Sequence, residues 1–354
     1  MPDTRHDSIR HNIPNPMTTY LICLVPILAY ILLLRLFDSF RLIRWGVLSA
    51  AILSGVAACA AAVAAGYVIF HISPAATESP WLFPLVEETL KMVAPLILIR
   101  RRKIVFFVEA MVYGAAAGGG FALAENIIYV VSNPGMMLGT ALFRGFSTAM
   151  LHIGCTALAA SVMLIYKNMY HGGRRPEPRR HLVCCVAAAL VVAIHIVFNL
   201  HLLPSLLQLV VTVLLFLCLF VALGTYNERC IGRWLDHSIT FDVQLLAAIR
   251  QGRLAETNTG EYLIGVRSQF EAEVFFDIIC FMQVYLELVI SGKSRMMLKQ
   301  AGLDTPLTVE ERQRHADMVG ELCALRGNIG LMGEIVLRPI LRMKDEDIRI
   351  MGLS

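Results

Sequence analysis

The sequence predicts an all-α polytopic membrane fold: a helical bundle of about seven transmembrane helices followed by a helical cytoplasmic C-terminal domain. Three observations predict it. The chain has 354 residues, 57% of them hydrophobic, and a mean hydropathy of +0.64. Apolar runs of roughly 20 residues, the length that crosses a bilayer as a helix, recur through the first two thirds. The loops between them alternate between basic and uncharged, as membrane topology requires. A β-barrel would instead show short alternating segments. The net charge of +4 is small. The basic residues fall between the apolar runs, so no nucleic-acid partner is expected.

The elements follow in order. Residues 1–16 form a polar tail with Pro14 and Pro16. Residues 17–224 form the transmembrane domain, and its first span is Met17–Phe37. That run is longer than a signal-peptide core and reads as a retained helix. The second span, Gly46–Ile72, is rich in Ala and Gly, which suits close helix packing. The third, Trp81–Ile99, ends in Arg100-Arg101-Arg102-Lys103, a cytoplasmic marker. The fourth, Ile104–Val131, contains Gly114 and Gly118 in a small-xxx-small pattern. The fifth lies within Met136–Tyr166, and a basic loop with Arg174, Arg175, Arg179 and Arg180 follows it. The sixth is Leu182–Leu203 and the seventh Leu206–Gly224.

Residues 225–354 carry more charge and read as a mostly helical cytoplasmic domain. Leu263–Leu298 is the candidate for one long amphipathic helix. Thr308-Val-Glu-Glu311 matches a capping box opening a helix over Val309–Leu325. By the positive-inside rule the N-terminus is external and the C-terminus cytoplasmic. The nine cysteines are scattered without a CxxC, so neither a disulfide framework nor a thiolate metal cluster is expected.

The chemistry concentrates in the third span, where Glu87, Glu88 and Lys91 interrupt an apolar stretch. One charge near the membrane centre costs roughly 2.5–3.5 kcal/mol on insertion scales. Three within five residues must therefore face protein or water. Topology places Glu87, Glu125, His195 and Asn199 at one depth, roughly 6–12 Å below the external boundary at 1.5 Å per residue. His152 counts deeper. Polar residues from separate helices at one depth imply one shared, water-accessible site.

Spacing lets Lys91 pair with Glu88 at i,i+3 or with Glu87 at i,i+4. The carboxylate that Lys91 holds stays ionised, and the other is the better general base. Such a site suits attack of water on a carbonyl, with His195 and Asn199 donating to the oxyanion. An alternative is a metal set of Glu125, His152 and His195 that would suit zinc, with Glu87 as the base. Spacing does not separate the two. HExxH is absent, and no Asp lies inside a span.

Glu87-Glu88-x-x-Lys91, Phe121-x-x-x-Glu125-Asn126, the Arg144…His152 segment and His195-x-x-x-Asn199 together resemble the PrsW family of intramembrane proteases. That family is a distant relative of the CAAX prenyl endopeptidases within the CPBP group. The resemblance covers about residues 80–200, four motifs in order on four successive spans. It implies hydrolysis of peptide bonds in membrane-anchored substrates, among them regulators such as anti-sigma factors, and a bacterial inner membrane as the location. It implies Glu87 as base, Glu88 paired with Lys91, Glu125 holding the water, and His195 and Asn199 at the oxyanion. Lys91, Arg144 and Asn126 are the supporting residues. Family members are classed both as metal-dependent and as glutamate-dependent, so the cofactor stays open. Lys91 and Glu125 depart from the CAAX pattern, which argues against prenylated substrates.

Plainer readings stand beside these. The third-span charges could be a structural ion-pair cluster, Glu125 a partner for Arg144, and His152 a packing residue. His201 and Glu109 read as interfacial, and Ser147 and Cys155 as packing residues. The runner-up function is a transporter or proton-coupled permease, for which inverted repeats or broken helices would be the sign. The expected partners are a membrane-anchored protein substrate and the lipid bilayer. Residues 225–354 could also engage a cytoplasmic regulator.

Overall fold

The computed structural model describes residues 14–170, 178–303, 305–341, 343 and 345–352. Most of the polar tail, and Arg174 and Arg175 of the basic loop, lie outside them. The described residues are helical throughout, without strands. In chain order the helices are α1 (Pro16–Leu34), α2 (Trp45–Ile72), α3 (Leu82–Arg100), α4 (Phe107–Ser132), the short α5 (Leu138–Leu142), α6 (Ala149–Tyr170), α7 (Pro178–Asn199), α8 (Ser205–Arg250), α9 (Asn258–Val266), α10 (Ala272–Gln300), α11 (Val309–Leu341) and α12 (Asp345–Ile350). One π-helical turn, Phe143–Thr148, joins α5 to α6.

Among the described residues six helices are long and apolar enough to cross a membrane: Pro16–Phe37, Trp45–Ile72, Phe107–Ser132, Leu138–Lys167, Ser205–Gly232 and Ala272–Gln300. The protein is thus an integral, multi-pass membrane protein. That count is close to the seven spans expected. Helix α3 has 19 residues, but Glu87, Glu88, Lys91 and Arg100 lower its apolar character. In α7 the described side chains give the apolar stretch Cys185–Asn199, which the sequence continues back to Leu182. Conversely, Ala272–Gln300 qualifies although the sequence reading put it in the C-terminal domain.

The chain forms two compact units, divided between Asn227 and Glu228 within α8, with Ser39–Arg41 grouped with the second. In the first unit α4 is the central helix. Its buried residues run almost without break from Val108 to Ala122. Glycine makes this possible. A Cβ on Gly118 would lie 2.2 Å from the His152 carbonyl oxygen, and one on Gly120 would lie 2.0 Å from that of Ile52. Helices α6 and α2 therefore touch α4 backbone to backbone, the contact that the Gly114/Gly118 pattern predicts. Glu109 is fully buried rather than interfacial. Its carboxylate accepts from the backbone N–H groups of Val105 (2.9 Å) and Phe106 (3.1 Å), orphan donors at the entry to α4.

Helix α3 buries Pro84, Glu88, Lys91, Pro95 and Ile99, a single stripe at helical spacing. Of Glu87, Glu88 and Lys91, the last two thus face protein, as their insertion cost demands.

The second unit has its own core. Leu245, Leu263, Ile278, Phe281, Tyr285, Leu322, Ile329 and Leu337 belong to it. The expected helix over Leu263–Leu298 is two helices, α9 and α10. Phe270 and Glu271 between them adopt extended dihedrals that end one and cap the next. The expected Val309–Leu325 helix continues to Leu341 through a kink at Gly330 (φ 59°, ψ −169°), a conformation open essentially to glycine alone. The capping box at its start is present. Thr308 N–H donates to Glu311 Oε2 (2.9 Å), and Glu311 N–H donates to Thr308 Oγ1 (3.1 Å).

Candidate active site

The first unit brings residues of α3, α4, α6 and α7 together. Lys91 Nζ lies 2.6 Å from Glu88 Oε1 and 2.8 Å from His152 Nδ1. An ammonium has only protons to offer. Nδ1 of His152 therefore accepts, and its Nε2–H donates to Glu125 Oε2 at 2.9 Å. His195 Nδ1 lies 2.8 Å from Glu88 Oε1, so its N–H there donates to the carboxylate, and in the neutral ring Nε2 then carries the lone pair. That nitrogen faces Glu87 Oε2 at 3.7 Å, beyond hydrogen-bond length.

The two glutamates are therefore unequal in the way their spacing allows. Lys91 takes the i,i+3 partner, Glu88, which is wholly buried. Glu87 is left with 19% of its side chain exposed, and its buried Oε2 has no hydrogen-bond partner among the described residues. Glu125, a third exposed, is held by Arg144 Nη2 at 3.2 Å as well as by His152.

Arg144 is presented by the π-helical turn. Such turns add a residue to the helical repeat and re-aim the side chains that follow, often at functional sites. Arg144 Nε donates to Asn126 Oδ1 (3.0 Å), and Asn126 Nδ2 donates to the Cys23 carbonyl (3.0 Å). Lys91, Arg144 and Asn126 thus lie in direct contact with the cluster. Asn199 does not join it. It lies exposed at the end of α7, one turn beyond buried His195, and its side chain makes no hydrogen bond among the described residues. Ser147 is buried, and its Oγ has no hydrogen-bond partner among the described residues. The Cys155 thiol packs against the Val191 carbonyl.

Two aromatic residues complete the walls and were not among the candidates. Lys91 Nζ sits 4.7 Å above the Phe121 ring, which also contacts the His152 ring at 5.0 Å. The Arg144 guanidinium lies 4.0 Å over Tyr129. Cation–π contacts hold a charge where water is scarce. The signal was available: Phe121, Glu125 and Tyr129 recur every fourth residue, on one face of α4.

The donor set can be tested against a metal. Glu87, His152 and His195 each offer one ligand atom, and the three lie within 4.8 Å of one another. Glu87 thus stands where the sequence reading had Glu125. The 3.7 Å between Glu87 Oε2 and His195 Nε2 compares with about 3.4 Å between two ligands of a tetrahedral ion with bonds near 2.1 Å. The other nitrogen of His195 is fixed by a carboxylate, the usual outer-shell partner of a ligating histidine. A borderline O/N/N set fits zinc or a similar divalent ion.

These features define a class: a polytopic helical membrane protein with a buried glutamate–histidine site able to act on water. The family model for PrsW family intramembrane metalloproteases matches residues 39–223, more than half of the chain, and the chain belongs to that family. It is an intramembrane protease, and its substrates are membrane-embedded proteins. No curated protein and no solved structure matches the chain.

Proposed function

We propose that the chain is a metal-dependent intramembrane endopeptidase whose ion is held by Glu87, His152 and His195. The observation that carries this is the unpartnered Glu87 Oε2 facing the free Nε2 of His195 at 3.7 Å. A divalent ion there would supply Lewis acidity, polarising the scissile carbonyl and acidifying water.

The chain's own residues do the rest. Glu88 holds the Nδ1 proton of His195 and so keeps Nε2 directed at the site. Lys91 balances the Glu88 charge. Arg144 and Asn126 fix Glu125, which sets the tautomer of His152. Glu87, the partly exposed carboxylate, has a second oxygen with which to take a proton from water and deliver it to the leaving amine.

A second reading has one observation in its favour. Both nitrogens of His152 are engaged, by Lys91 and by Glu125, so ligation requires one partner to move. In that reading Glu87 activates water without a metal. The substrates we infer are membrane-anchored regulators of the anti-sigma type, in a bacterial inner membrane. The N-terminus is external and residues 225–354 are a cytoplasmic domain. Helix α10 supports that placement by turning Phe281, Tyr285 and Leu288 to a local core instead of to lipid.

The deciding experiment is elemental analysis of purified protein before and after chelation, with cleavage of a single-span substrate followed in parallel. The metal reading expects one ion per chain, lost with activity and restored by zinc. Full activity in metal-free protein would leave only the second reading.

A further inference from the structure

One half-open apolar pocket in the first unit is unused by this chemistry. Between α6, α7 and the outer part of α8 lies a cavity of about 340 Å³. Its walls are apolar: Leu151, Ile194, Val197, Val211 and Leu215. At its floor Phe216 fills a notch in α6, where a Cβ on Gly154 would lie 2.0 Å from the ring. The cavity shares two helices with the site. Leu151 precedes His152, and Ile194 precedes His195.

Two polar residues interrupt the walls. Gln208 and Thr212 sit one turn apart on α8, inside an otherwise apolar run, and both are buried, at 4% and 6% exposure. Gln208 Nε2 donates to the Phe198 carbonyl at 2.7 Å, which fixes the amide plane. Its Oε1 is buried with no partner among the described residues.

An acceptor left open in an apolar wall calls for a donor. A lipid acyl chain would fill the volume but brings no N–H. A transmembrane helix has free N–H groups only in its first turn or where it is unwound. A partly unwound polypeptide supplies both an apolar side chain and a main-chain donor. Resting on the protease reading, we propose that this cavity is a side-chain subsite for the substrate polypeptide, with Gln208 Oε1 accepting a main-chain N–H from the unwound segment. The subsite would select an apolar residue beside the scissile bond and favour substrates whose helix breaks near the outer face.

The test uses the full chain carrying Glu87→Gln, reconstituted in lipid nanodiscs, with p-benzoylphenylalanine replacing Val211 or, in a second protein, Leu215. The probe is a biotinylated single-span Leu/Ala peptide with an Asn-Gly break in its outer third, compared with the unbroken peptide. Irradiation should give a peptide adduct from at least one position, and more from the broken peptide. Gln208→Leu should lower the yield about fivefold, the worth of one hydrogen bond. Adducts to lipid alone, or a peptide yield unchanged by Gln208→Leu, would overturn the subsite. Cleavage of the same peptide by the chain with Glu87 intact is scored separately. An adduct without cleavage leaves the subsite and counts against the protease reading, whereas cleavage without an adduct sinks the subsite alone.

Discussion

Lys91→Met removes the cation at the centre of the site while keeping the length of the side chain. Its ammonium lies 2.6 Å from Glu88 Oε1, 2.8 Å from His152 Nδ1 and 4.7 Å from the Phe121 ring. Both members of the pair are at most 1% exposed, so water cannot replace the lost charge. Removing one partner of a buried ion pair costs about 3–5 kcal/mol, most of it the cost of the charge left behind. For a unit near 200 residues, 1 kcal/mol moves Tm by about 2–4 °C, which gives a drop of about 6–20 °C.

That cost falls on the stranded Glu88 carboxylate and not on lost packing. Adding Glu88→Gln should therefore recover part of it. The neutral amide keeps an oxygen for the His195 Nδ1–H and removes the uncompensated charge. Thermal unfolding of wild type, both single variants and the double variant in one detergent gives the coupling as a double-mutant cycle. A Lys91→Met Tm within about 2 °C of wild type, or a double variant no more stable than Lys91→Met alone, would refute the buried-pair account.

Other outcomes follow from the same geometry. Glu87→Gln should cut cleavage by at least about 10²-fold, the scale of a general-base contribution, while Tm stays close to wild type; its Oε2 accepts no hydrogen bond that the fold would miss. Gly118→Val forces α4 and α6 apart, since even a Cβ would lie 2.2 Å from the His152 carbonyl oxygen. The expected loss is about 1–3 kcal/mol or more, together with activity, read by thermal unfolding and cleavage. In the second unit, the Thr308 backbone N–H and hydroxyl hold the Glu311 carboxyl below the usual carboxylate range. Its depressed folded value means the capping contribution is complete above the ordinary carboxylate range and is lost as pH falls through the folded value. Amide exchange in the first turn of α11 should accelerate over that acid window, and Glu311→Gln should flatten the response.

The membrane class was written in composition because a 20-residue apolar helix is a local property, readable without knowing any neighbour. The capping box at Thr308 and Glu311 was legible for the same reason, since both partners lie within one turn. The Gly114/Gly118 pattern announced a close approach, but only packing showed which helices come close, α6 at Gly118 and α2 at Gly120. The break before α10 escaped the sequence reading because Val266, Phe270 and Val274 keep helical spacing across it, and the kink at Gly330 lies beyond Leu325, where the expected helix stopped.

The candidate site divides in the same way. Insertion cost alone required that Glu87, Glu88 and Lys91 face protein or water, and topology alone put Glu125 and His195 at their depth. Tertiary structure decided the partners. Lys91 reaches Glu88 because α3 turns that residue inward with it, and His152 and His195 then close on the pair from α6 and α7. It also brought Glu87 to face His195, held Glu125 on Arg144 and left Asn199 exposed. Helical spacing says which residues share a face, but it does not say how far each helix is rotated or shifted against the next. Those few ångströms separate an ion pair from a metal ligand.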